Sequence, residues 1–153
     1  MNKQDAQRLV ARRHKARHYA MQALYQWQMA GANISQIELE FRTDNDMSNV
    51  DSEYFSELLH QVPKMLTELD EFFEEHLDRE KHDLGAIELS LLRIGTYELA
   101  ERIDVPYKVV INEAVNLAKK FGATDSFKYI NGILDKVARQ TRAIEISAQD
   151  PAF

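Results

Sequence analysis

Apolar residues recur along most of this 153-residue chain at intervals of three and four, the spacing that lines one side of a helix rather than one face of a strand. Ala16, Ala20, Ala23, Leu24 and Trp27 form one such stripe and predict a first helix from about Arg12 to Ala30, closed by Gly31 and Asn33. Ile34, Ile37 and Phe41 predict a short second helix. The polar run from Arg42 to Ser52 is rich in capping residues and reads as a loop ending near an N-cap. Phe55, Leu58, Val62, Met65, Leu69 and Phe72 then define a strong stripe between Tyr54 and Leu77. Pro63 interrupts it with a kink or a break, because proline removes an interior hydrogen bond.

Leu84, Ile87, Leu91 and Ile94 continue the pattern through about Glu101, and Asp104-Val105-Pro106 marks a further helix start. Val109-Val110-Ile111 has strand character in isolation, but Val110, Ala114, Leu117 and Phe121 keep helical spacing. Gly122 fits a C′ cap. Thr124-Asp125-Ser126 fits an N-cap for a last helix carrying Phe127, Ile130, Leu134 and Val137. Asn131-Gly132 would signal a hairpin between alternating strands, but its neighbours follow a period near 3.6. The pattern therefore predicts an all-α bundle of six or seven helices, with Leu24, Trp27, Phe55, Leu58, Val62, Leu91, Ile94, Val110, Leu117, Ile130 and Leu134 buried. Gly95 and Gly132 fall inside helices at roughly 1 kcal/mol each relative to alanine. That cost predicts a helix crossing at both.

Composition narrows the class. The length fits one domain of the usual ~100–200 residues, which buries about 70% of its unfolded surface without a metal or crosslink. With no cysteine, disulfides, thiol nucleophiles and iron–sulfur clusters are excluded, in keeping with a reducing compartment. The amino terminus has no apolar signal core, and no segment approaches the ~18 apolar residues of a membrane span. A cytoplasmic protein without membrane association is the expectation.

The net charge of −6 hides a division. Residues 1–18 carry six Lys/Arg against one acid, residues 19–104 six against nineteen, and residues 105–153 seven against five. A basic head and a basic last third around an acidic middle point to nucleic acid on the positive side. A basic tail on an ordinary acidic domain is the plainer reading.

No catalytic arrangement emerges, so the chain reads as a non-enzyme without cofactor or metal. Glu57 and His60 have the Glu-x-x-His spacing of di-iron bundles, but no second copy exists. His76 and His82 sit among acids, and glycine-rich phosphate loops are absent. Two other features stand out. Arg12-Arg13-His14-Lys15-Ala16-Arg17-His18 is a basic cluster able to contact phosphates, or else a solubilising head. From Lys119 to Tyr129, basic residues alternate with aromatics around a helix–loop–helix corner. Single-stranded RNA is held by stacking on rings inside a positive groove. Phe127 lies on the apolar stripe and is expected in the core, Phe121 shares that ambiguity, and Tyr129 lies off the stripe.

The chain resembles the NusB family of bacterial transcription antitermination factors from about Arg12 to Arg142. The likeness rests on the basic cluster running into Tyr19–Trp27, on Glu88–Leu99 (ELSLLRIGTYEL) and above all on Asp104–Lys136 (DVPYKVVINEAVNLAKKFGATDSFKYINGILDK). It implies two small helical bundles packed across each other. It also implies non-catalytic binding of a single-stranded boxA element in ribosomal RNA leader transcripts. The partner would be NusE, a small-subunit ribosomal protein, with other Nus factors and RNA polymerase engaged indirectly. Carried over by position, the RNA surface would use Arg13, His14, Lys15 and Arg17 with Phe121, Asp125, Lys128 and Tyr129. The NusE surface would include Tyr25 and Glu88.

The sequence departs from the family pattern in places. His14 and Lys15 dilute the arginine run, and neither supplies the flat guanidinium fork. Tyr129 keeps the stacking face of a phenylalanine and adds a hydroxyl. Residues 1–11 are expected as a flexible basic extension, 12–142 as a single RNA-binding domain like that family's and 143–153 as a loose tail. Three alternatives stay open: a recruiting module related to that of ribosomal RNA methyltransferases, a purely protein-binding scaffold, and a homodimer that hides the RNA surface. Under the leading reading, positive charge from both ends of the chain converges on folding into one track flanked by exposed rings.

Overall fold

The computed structural model describes residues 1–149. Among them the chain forms eight α-helices and no strand: α1 (Lys3–Ala30), α2 (Ile34–Asp44), α3 (Ser52–Lys64), α4 (Leu66–Glu74), α5 (Ala86–Glu101), α6 (Tyr107–Phe121), α7 (Ser126–Thr141) and α8 (Ala143–Gln149). The count exceeds the expected six or seven. Pro63 does end a helix, through a break at Met65 two residues later. The additional element is α8, in the stretch read as tail; residues 150–153 of that tail lie outside the described residues. Both strand-like signals resolve as helix, with Val109-Val110-Ile111 in α6 and Asn131-Gly132 in α7.

Helix α1 begins at Lys3 rather than near Arg12 because its first turns carry no apolar stripe for a periodicity to reveal. The signals there are caps: the Asn2 side chain accepts from the Asp5 N–H at 2.8 Å, and Asp5 places a negative charge in the first turn. At the other end Gly31 takes the left-handed conformation (φ 66°) and donates its N–H to the Trp27 carbonyl.

The chain divides into two compact units, Met1–Lys64 and Met65–Phe153. In the first, α1 packs on α2 and α3. The small residues Ala16, Ala20 and Ala23 are fully buried, as are Phe55, Leu58, Leu59 and Val62 of α3. Tyr19, Phe41 and Phe55 meet with ring centroids 5.9–6.5 Å apart, a spacing that favours edge and tilted contacts. Trp27, expected in the core, is half-buried.

In the second unit α5 packs against α4, α6 and α7, and Glu88 through Leu99 are buried without interruption. Gly95 behaves as expected of a crossing: a Cβ there would lie 2.8 Å from Leu134 Cδ1 of α7. Gly132 does not. It is exposed, with nothing within 4 Å of a notional Cβ, so no helix crossing explains it. Two polar groups tie the unit together. Asp70, 3% exposed, accepts two hydrogen bonds from Arg93 at 3.0 Å and one from Lys81 at 2.8 Å. Arg142, 2% exposed, donates to the carbonyls of Glu98, Leu99, Arg102 and Val105 and to the Glu145 carboxylate.

Candidate nucleic-acid interface

The basic cluster occupies the third to fifth turns of α1, and its members divide by face. Arg13 and Arg17 are four residues apart on the same stripe as Ala16 and Ala20, so they point toward α3. Arg17 is only 3% exposed. Both guanidiniums lie over the Tyr54 ring, at 4.6 Å for Arg13 and 5.4 Å for Arg17, and Arg13 Nε is 3.5 Å from the Asp51 carboxylate. Arg12 Nη2 donates to the Val50 carbonyl at 3.1 Å, while the Arg12 carbonyl accepts from the Asp51 N–H. Asp51 in turn accepts from the Tyr54 N–H as the cap of α3. These arginines fasten the start of α3 to α1. His14 and Lys15, off the stripe, are exposed. The stripe itself carried that distinction, since 13, 16, 17, 20 and 24 share one side of a helix.

The second cluster surrounds the α6–α7 corner. Its backbone is shaped by three residues. Gly122 was expected as a left-handed cap but has φ −85°. Glycine is required there for space, because a Cβ would lie 2.5 Å from Ser126 Oγ, 2.8 Å from the Ala118 carbonyl oxygen and 3.0 Å from Glu88 Oε1. The left-handed residue is Asp125 (φ 64°), a residue type that tolerates that conformation. Asp125 occupies the N-cap position of α7 without a side-chain capping bond. Its carboxylate remains 67% exposed, 3.8 Å from Lys128 Nζ. Glu88, 8% exposed, reaches across from the first turn of α5 and accepts from the Ala123 N–H at 2.9 Å.

Lysines and rings interleave around this corner. Lys120 Nζ is 5.4 Å from the Phe121 ring centroid, and Lys119 and Lys128 lie 4.9 and 5.9 Å from that of Phe127. Phe127, expected in the core, is half-buried with both lysines near its ring, and Phe121 is half-buried as well. Tyr129 is half-buried beside a cleft of about 360 Å³ lined by Arg79, Asp83, Leu84, Gly85, Glu88, Ala123, Thr124, Asp125 and Ser126. The Arg79 guanidinium lies 4.6 Å over the Tyr129 ring. Burial, with the neighbouring Asp78 carboxylate, holds the Tyr129 hydroxyl above its ordinary pKa. The Arg79 and Tyr129 hydrogen bonds hold Asp78 below the usual carboxylate range.

Of the residues singled out from sequence, His14, Lys15, Tyr25, Asp125 and Lys128 are exposed; Arg13, Phe121 and Tyr129 are half-buried; Arg17 and Glu88 are buried. Tyr25, 40% exposed, and Met29 stand on the outer face of α1. Sequence reasoning passed over Arg79 because it alternates with acids in the acidic middle of the chain, fifty residues from the ring it covers. No group of His, Asp and Glu among the described residues is arranged to hold a metal ion. None of the described helices is long and apolar enough to cross a membrane.

Residues 14–139 match the sequence profile described as the NusB family. The transcription antitermination protein NusB of Teredinibacter turnerae is 59% identical over 140 residues, covering 91% of this chain and 95% of that one. That of Saccharophagus degradans is 58% identical, with 91% and 93% covered. In three dimensions the chain is similar to a solved structure of T. maritima NusB, with a TM-score of 0.71 at 26% identity over 83% of this chain and 90% of the other. A family profile spanning most of the chain, close relatives of nearly equal length and a shared helical fold agree: the chain belongs to the NusB family.

Proposed function

We propose that the chain is a non-catalytic transcription antitermination factor that binds single-stranded boxA-type RNA in ribosomal RNA leader transcripts. It acts together with the ribosomal protein NusE, and through that complex with other Nus factors and RNA polymerase in the cytoplasm. The observation that carries the reading is the α6–α7 corner, where Lys119, Lys120 and Lys128 alternate with Phe121, Phe127 and Tyr129 beside the exposed Asp125 carboxylate. Rings of this kind stack bases, lysines neutralise phosphates, and a carboxylate accepts from base amino groups.

His14 and Lys15 form the α1 contribution, with Arg13 beside them; Arg17 positions Tyr54 beneath that surface. Tyr25 faces NusE directly. Glu88, buried as it is, serves the complex by holding the corner through Ala123.

Substituting Lys15 and Lys128 together with alanine lowers the affinity for single-stranded boxA RNA about tenfold or more at low salt, across all RNA sequences tested. An unchanged affinity in the double variant, with NusE still bound, would leave a protein-binding scaffold and overturn the RNA reading.

A further inference from the structure

We propose that Arg79, in the segment between α4 and α5, is a stacking plate for one unpaired nucleobase, held in place by the Tyr129 hydroxyl through Asp78. The inference rests on the RNA-binding reading above and adds to it a residue outside the two basic clusters. Three contacts close a triangle. The Arg79 guanidinium lies 4.6 Å over the Tyr129 ring. Its Nε donates to the Asp78 carboxylate at 2.8 Å and its Nη2 at 3.4 Å. The Tyr129 hydroxyl accepts from the Asp78 N–H at 3.2 Å and hydrogen-bonds its carboxylate.

A surface arginine ordinarily samples many rotamers, so fixing one needs a reason. Here the guanidinium carbon lies 4.6 Å over the tyrosine ring, and the side chain is 49% exposed. Guanidinium planes and aromatic rings are the two side-chain surfaces on which unpaired bases stack. An arginine layered on a tyrosine offers both chemistries in one column. The plate borders the cleft that holds Thr124 and Asp125, so a base laid on it has hydrogen-bonding groups near its edge.

The triangle is not the only anchor of this segment. Lys81, two residues on, already anchors this segment to the buried Asp70. The hydroxyl of Tyr129 acquires a purpose: phenylalanine would keep the ring but release Asp78, and with it the orientation of Arg79.

The test measures binding of short single-stranded boxA RNA, with 2-aminopurine placed at successive positions, to the full chain and to Arg79→Lys, Arg79→Ala and Tyr129→Phe. Arg79→Lys keeps the charge and loses the plane. It weakens binding about tenfold, in line with the loss of one stacked base. It also abolishes the fluorescence quenching at one RNA position, with the salt slope and thermal unfolding midpoint unchanged. Tyr129→Phe gives a smaller loss at the same position. Native-like binding and quenching in Arg79→Lys would overturn the proposal. So would a normal Arg79→Lys beside an Arg79→Ala variant whose salt slope shallows by about 0.7, which marks a phosphate contact. If the unsubstituted chain fails to bind the RNA at all, the wider reading falls and this one with it; binding that is indifferent to position 79 removes this one alone.

Discussion

At the scale of single residues, the charged side chains sort by what surrounds them and not by their sign. Arg142 is the clearest case. Four main-chain carbonyls and the Glu145 carboxylate receive its guanidinium, so the end of α5 and the turn before α6 depend on one fork-shaped donor. Lysine cannot reproduce that geometry. Replacing Arg142 with alanine leaves several buried carbonyls without donors and destabilises the chain by about 3–5 kcal/mol in a denaturant titration, with lysine recovering little of it. In the sequence Arg142 stands as the last residue before a tail, since the four carbonyls it bonds lie some forty positions upstream and only Glu145 is local. The burial of Arg17 has a related origin. A run of basic residues reports charge density, whereas exposure depends on which side of the helix each occupies, and Arg13 and Arg17 fall on the side of Ala16 and Ala20. Lys15 and Lys128 lie off the stripes and are exposed.

At the scale of helices, apolar spacing marked the stretches that became α1 to α7, with α3 and α4 on one stripe that Pro63 was expected to kink or break. It failed where there was no stripe to read, in the first turns of α1 and in the seven residues of α8 with their single buried apolar anchor, Ile146. Glycines inside helices could not be told apart by sequence, because the same residue type answers to crowding in one place and has open space in another. Gly95 faces Leu134; Gly132 faces solvent. Alanine at 132 therefore gains about 1 kcal/mol from helix propensity. Alanine at 95 receives the same gain but must displace a buried leucine, so its stability falls below that of the 132 variant by about 1–3 kcal/mol. Thermal unfolding of the two variants side by side measures that gap directly.

At the scale of the whole molecule, the division of charge was visible before any coordinates, and its significance comes from the rings set among the lysines of the corner. Composition could count the charges; it could not bring Lys119 and Lys128 to the Phe127 ring or turn the Asp125 carboxylate outward. If about four phosphates are neutralised on binding single-stranded RNA, the log–log dependence of affinity on salt has a slope near −3. Filter-binding titrations over a range of salt concentrations check it, and a flat response means that the lysines of the corner do not contact the strand.

The partition at Lys64 gives the molecule a direction in time. Each unit is one unbroken stretch of backbone, so no segment made late is needed to complete the unit made first. A nascent chain that has cleared the ribosome as far as Lys64 already carries Tyr19 and Phe41, the ring partners of Phe55. Synthesis from the amino end thus delivers the first unit with all its own elements present while the second unit is still incomplete, and folding can proceed vectorially, one unit after the other.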